Sequence, residues 1–309
     1  MNFFNGIFQG MAFLAFSSSA TAGALPQKRA LIIAIGNYGL FTGWDSIHSE
    51  NDLPLVQEAA RKLGIPDEGM LILKNEEATF QRILDELRLL KESSAPGDFI
   101  YFHFSGHGQQ KQDLDGDEAD GYDEALAPYD SPMRFSLSYQ GERLVTDDHL
   151  REWIQAIRPV LGPGGGLFIT LDACHSGTAT RGMGFRRGTP LRMAKEGYWR
   201  ERAATASMYA EQGWESAGER PADWAPCVVF SASKGNQLNW EYTPPGSDQT
   251  FGPLSYALNL GLRNTNTPGS FRDLFSQVSQ QMQSIAPYQQ PQAEGDLDAP
   301  SPKLIPSIP

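Results

Sequence analysis

An α/β fold built on a largely parallel sheet is the class that this 309-residue sequence predicts. Three observations carry the prediction. Short, nearly uninterrupted apolar runs recur along the chain, as strands buried on both faces require. Stretches with apolar residues at helical spacing separate them, which is the alternation of a βαβ fold. With 40% hydrophobic residues there is material for helices to cover both faces of such a sheet.

The elements follow in order. Arg29 to Ile35 (RALIIAI) reads as the first strand, and Asn37 to Ser49 as a polar loop. Leu53 to Leu63 is the first helix, Met70 to Leu73 a short strand and Thr79 to Leu90 the second helix. Phe99 to Phe104 (FIYFHF) is the third strand, followed by a helix from about Asp148 to Ile157 and a fourth strand from Leu167 to Leu171. Cys227 to Ser231 (CVVFS) is the fifth, with helices over Pro253 to Leu262 and Phe271 to Ile285. Ligands of such sheets bind beyond the carboxyl ends of the strands.

Two segments interrupt the rhythm. Residues 109–130 are acidic and turn-rich. Residues 175–225 lack strand character and hold Arg181, Arg186, Arg187, Arg192, Lys195, Arg200 and Arg202. Long irregular insertions in a compact domain are functional or disordered. The Pro-rich residues 298–309 read as a tail.

The charge balance excludes several functions. Acidic residues number 37 and basic residues 25, a net charge of −12. Nucleic acids and anionic lipid surfaces attract the opposite balance, so neither is an expected partner. Two cysteines make neither a disulfide framework nor a four-cysteine zinc site.

The amino terminus is set apart. Residues 1–22 carry no charge, run through the apolar stretch Ile7 to Phe16 and reach Ala20-Thr21-Ala22, a small-x-small cleavage pattern. The expectation is a signal peptide, with a chain starting near Gly23 that is secreted or periplasmic. The competing reading is a buried N-terminal helix. The apolar run is short for a membrane span, so no membrane association is expected once it is removed.

The chemistry gathers at two strand ends. The third strand runs into Ser105-Gly106-His107-Gly108, the fourth into Asp172-Ala173-Cys174-His175-Ser176-Gly177. Parallel strands bring both to one edge of the sheet. A thiolate is a strong nucleophile, and an imidazole assists its formation and protonates a leaving amine. The amides of Gly108 and Cys174 are candidates for an oxyanion hole. His175 is second to His107 as the base, since neighbours leaving a strand point in opposite directions. Cys227, opening an apolar strand, is read as core.

The pair SGHG and DACHSG, with the acidic segment DLDGDEADGYDEALAPYD and the later SASKGNQLNWE, resembles the caspase-like cysteine peptidases, most closely the metacaspases of bacterial (orthocaspase) type. The resemblance covers about Arg29 to Asp296. It implies a caspase-haemoglobinase fold, a mostly parallel six-stranded sheet sandwiched between helices, over a peptidase domain of residues 23–297. It implies that His107 is the catalytic histidine, that Cys174 is the nucleophile and that cleavage follows Arg or Lys. Asp172 and Asp52 match its pocket aspartates, and Ser105 is grouped with them. A buried cation needs such carboxylates. For Asp52 a helix N-cap is the structural alternative.

The acidic loop suggests calcium, because eight carboxylates between Asp113 and Asp130 offer hard oxygen ligands. Read from Asp113 the spacing grazes an EF-hand, but Glu118 stands where that loop needs glycine and no helix pair flanks it. The resemblance places calcium on Asp123, Asp147 and Asp148, with Arg181 where it expects a further aspartate. Calcium held weakly, held elsewhere or not needed therefore stay open, beside a merely solvated loop. No organic cofactor is expected.

The reading is a cysteine endopeptidase acting on proteins or peptides with Arg or Lys at the cleavage site. It is expected to be monomeric, calcium-stimulated and self-processing between about Arg181 and Arg202. The alternatives are a non-catalytic, calcium-responsive module of the same fold and a caspase-like hydrolase preferring Asp or Asn.

Overall fold

The computed structural model describes residues 25–114, 116, 121–174, 185–195, 220–234, 237–263 and 269–302. The signal-like residues 1–22, His175 and Arg181 lie outside them.

A six-stranded sheet in the order β2-β1-β3-β7-β8-β9 forms the centre. Its strands are β1 (Lys28–Ala34), β2 (Met70–Lys74), β3 (Phe99–Ser105), β7 (Gly166–Asp172), β8 (Cys227–Ser231) and β9 (Gln292–Gly295). The first five are parallel and β9 pairs antiparallel with β8.

Alternate residues of the buried strands serve two cores. Leu31, Ile33, Phe102 and Ile169 meet α2 (Phe80–Ser93) and α3 (Asp147–Leu161) through Ile83, Leu87, Trp153 and Ile157. Ala30, Ile32, Phe168 and Phe230 meet α1 (Leu53–Lys62), α4 (Pro253–Arg263) and α5 (Phe271–Ile285) through Val56, Leu258, Leu274 and Met282. Each large apolar side chain removed from water in this way contributes roughly 1.5–3 kcal/mol. Cys227 lies in the first core and is fully buried.

The structure departs from the sequence pattern at several points. The segment 109–130, expected as turns, forms two strands of a small antiparallel sheet: β4 (Gly108–Gln112) and β5 (Tyr122–Leu126), joined by β6 (Val145–Thr146). Their sequences, GQQKQ and YDEAL, lack apolar alternation. Gln109 is nonetheless fully buried, its amide donating to the carbonyls of Met133 and Leu191. The equally polar β9 (QAEG) closes the large sheet. Helix α3 continues to Leu161 through Pro159, in whose last turn the ring removes one N–H while Leu161 still reaches the core. Ala299 packs against the second core and accepts a bond from the Phe271 amide.

Candidate active site

Strands β3 and β7 pair in parallel with Ser105 opposite Asp172, so His107 and Cys174 each lie two residues past a matched pair. This places them together at the carboxyl edge of the sheet.

The histidine is held on every side but one. Its backbone N–H donates to the Tyr38 hydroxyl at 2.7 Å. Its ring stacks on Trp44, with centroids 4.8 Å apart and planes 18° apart. Nε2 lies 2.9 Å from the Asp45 carbonyl oxygen. A carbonyl only accepts, so Nε2 carries the proton and Nδ1 presents a lone pair. Nδ1 is buried without a hydrogen-bond partner. Burial pushes the ring down to about 4, so it is neutral at physiological pH.

Cys174 is fully buried, its Sγ 3.2 Å from the Gln237 carbonyl oxygen. Its backbone N–H donates to the carbonyl oxygen of Arg187 at 2.8 Å. Gly188 lies against the thiol: a Cβ there would sit 3.1 Å from Sγ and collide with the Cys174 carbonyl. Residues 185–195 are tied down by isolated strand-like bridges. The Arg187 N–H donates to Asn239 and the Glu241 N–H to Phe185, while Gly188 bridges to Gly108 and Met193 exchanges bonds with Gln110 and Gln112 of β4. Among the described residues of 175–225, the stretch 185–195 thus forms isolated bridges but no strand, as the sequence leads one to expect. The partners that order the segment are distant in sequence.

Arg187 fills a pocket beside Cys174 and is itself fully buried. Its Nη1 donates to Asp52 Oδ2 at 2.7 Å and to Ser105 Oγ, and lies 3.9 Å from Asp172 Oδ1. Its Nε and Nη2 donate to Glu241 Oε1 at 3.2 and 3.0 Å. Asp172 is fixed by Asn239 and by the amide and hydroxyl of Ser255. Asp52 stands at the start of α1 but makes no side-chain cap; its Oδ1 accepts from the Gly252 amide instead. The N-cap alternative is thereby set aside. Burial pushes the Asp52 carboxyl up to about 6, with Arg187 pulling it back and Asp172 adding to the rise. At Arg187 burial opposes the charge, but Asp52, Asp172 and Glu241 together outweigh it and hold the guanidinium ionised.

The three residues singled out as a pocket, Asp52, Asp172 and Ser105, are therefore brought together. Sequence reasoning missed Glu241, Gly252 and the occupant, Arg187. Glu241 closes the SASKGNQLNWE motif, so a signal was present without a role attached. Gly252 leaves no room for a side chain, since a Cβ there would overlap Asp172 Oδ2 and Arg187 Nη1. Outside the pocket a cleft of about 900 Å³ opens, lined by Trp44, His107, Phe185, Gly188 and Leu191 among others.

The candidate metal residues also converge. Asp123 on β5 and Asp147 and Asp148 at the start of α3 offer oxygens within 4.8 Å of one another. Asp123 Oδ1 is buried without a hydrogen-bond partner, and burial first, then Asp147, pushes its carboxyl up to about 8. Three hard oxygen donors, one of them orphaned, fit a divalent cation such as calcium. Two native cations compete: Arg151 pairs with Asp147 and Asp148, and Lys111 lies 3.9 Å from Asp123. The EF-hand spacing is not realised, because Asp113 follows strand β4 rather than a helix.

Comparison with known proteins agrees with this geometry. Residues 28–181 match the family model described as "Metacaspase, peptidase C14 domain". Metacaspase-1 of Mycosarcoma maydis is 28% identical over 285 residues, covering 82% of this chain and 66% of that protein. Metacaspase-1 of Schizosaccharomyces pombe is 38% identical over 160 residues, 50% of this chain and 35% of that one. This chain thus spans between about a third and two thirds of their length. Caspase-1 of Spodoptera frugiperda shares the fold, with a TM-score of 0.52 and 13% identity over 87% of this chain and 86% of that one. Fold and sequence together define a caspase-like domain. Within that class the chain belongs to the metacaspase family.

Proposed function

We propose that this chain is an endopeptidase that cuts after Arg or Lys through Cys174 and His107, and that it processes itself at Arg187-Gly188. One observation carries the reading: Arg187 occupies the acidic pocket while its carbonyl oxygen rests on the Cys174 N–H, with Gly188 against the thiol. A substrate residue poised for attack would present the same groups.

The mechanism follows from the atoms present. His107 Nδ1 takes the Cys174 proton, and Sγ attacks the carbonyl carbon of the residue in the pocket. The resulting oxyanion is held by the Cys174 amide, with the Gly108 amide as the second candidate donor. The C–N bond breaks as His107 returns the proton to the leaving amine. Water, deprotonated by His107, then attacks the thioester, and the acid leaves as Sγ is reprotonated.

Asp123, Asp147 and Asp148 would hold calcium. When bound, it would supply charge balance between β5 and α3, behind the small sheet that carries Gly108. We further infer export from the cytoplasm on the strength of residues 1–22.

The test is incubation of wild-type and Cys174→Ala protein, with fragments read by N-terminal sequencing, beside assays on peptides ending in Arg, Lys, Asp or Asn. The expected outcome is a new terminus at Gly188 in wild type only, and turnover confined to Arg and Lys. Preference for Asp or Asn would overturn the pocket assignment. No turnover, with an unreactive Cys174, would favour the binding module, a reading that the filled pocket also suits.

A further inference from the structure

The pocket addresses the two edges of a guanidinium separately. At one edge Nη1 meets Asp52 and Ser105, with Asp172 behind. At the other, Nε and Nη2 converge on a single oxygen, Glu241 Oε1. The Glu241 side chain is wholly buried and is fixed in turn by His48, whose N–H donates to Oε1 at 2.9 Å and whose Nδ1 lies 2.7 Å from Oε2. The His48 ring makes a T-shaped contact with Phe185, two residues before the occupant, with centroids 4.8 Å apart.

We infer that Glu241 is the residue that makes this pocket prefer arginine to lysine. A lysine brings one nitrogen at the end of its stem and no donor where the arginine Nε lies. Reaching Asp52 and Ser105, it leaves Oε1 of Glu241 without its cation. Reaching Glu241, it leaves the far edge unmet. Either way a buried carboxylate loses a charge-assisted hydrogen bond, which is the costly event in a dry pocket. An unmade bond of that kind corresponds to a preference of about 10- to 100-fold in kcat/KM.

This inference rests on the proposed reading that the pocket takes the residue before the scissile bond. The test measures kcat/KM on paired peptides that differ only in Arg or Lys at that residue, for wild type, Glu241→Gln and His48→Gln. Active sites are counted by irreversible labelling of Cys174, and folding is checked by Tm. Wild type is expected to favour Arg by at least tenfold. Glu241→Gln should lose about tenfold more on Arg than on Lys, and His48→Gln should shrink the ratio in the same direction. Equal rates on the two peptides in wild type, or equal losses on both in Glu241→Gln, would overturn the role of Glu241 while leaving the peptidase reading intact. Should Glu241→Gln fail to fold, the wild-type ratio and His48→Gln decide the matter. Cleavage of neither peptide by wild type with a labelled Cys174 would defeat the underlying reading and this inference with it.

Discussion

Asp52 shows how a single carboxyl couples the pocket to pH. Its ordinary value of 3.8 rises to about 6 because burial disfavours the charge. The folded chain therefore keeps a proton that the unfolded chain has already released, and this group's contribution to stability declines as pH climbs through that window. Binding a cation runs the opposite way, since Asp52 must be ionised to accept from it. Cleavage after Arg should weaken as pH falls through about 6, and in kcat/KM the limb should lie at or above that value, because an empty pocket lacks the guanidinium that pulls Asp52 down. His107, held near 4, stays neutral throughout. A pH profile with its acid limb near 4 would assign control to His107 instead. Legibility at this scale was uneven. Asp52 and Asp172, with Ser105 grouped beside them, were legible through the resemblance to the metacaspases, since local pattern alone reads Asp52 as a helix cap. Glu241 and Arg187 lie in irregular segments, and an arginine in a basic loop gives no sign that it is buried.

Among the elements, the long apolar strands and amphipathic helices could be read directly, because burial on both faces writes itself into β1, β3, β7 and β8 as continuous hydrophobic runs. The small sheet could not. β4 is ordered by amide side chains bonded to backbone carbonyls and by Met193 alongside, none of which has a periodicity. That sheet joins the acid cluster to the site, since β5 carries Asp123 and β4 begins at Gly108 next to His107. Calcium at millimolar concentration should therefore raise Tm, and by mass action the rise should grow with concentration. Asp123→Asn should abolish the shift. A Tm indifferent to calcium would mean that Arg151 and Lys111 satisfy the three aspartates unaided.

Over the whole molecule, the charge of −12 resolves into local clusters: carboxylates around one buried guanidinium, and others at the edge of the small sheet. The parallel pairing of β7 with β8, from Leu167 opposite Cys227 to Leu171 opposite Ser231, gives the proposed cut an unusual outcome. Scission at Arg187-Gly188 would put β1, β3 and β7 on one polypeptide and β8, α4, α5 and β9 on the other, yet the central sheet would run unbroken across the two. The product is expected to elute as one particle in native gel filtration and to separate only in denaturant. Cleavage would thus turn a single chain into a two-part enzyme in which Cys174, His107, Asp52 and Asp172 belong to one polypeptide and Glu241 to the other. Reactivity and the discrimination of arginine from lysine would then reside on different polypeptides, exchangeable between variants by mixing in denaturant and refolding.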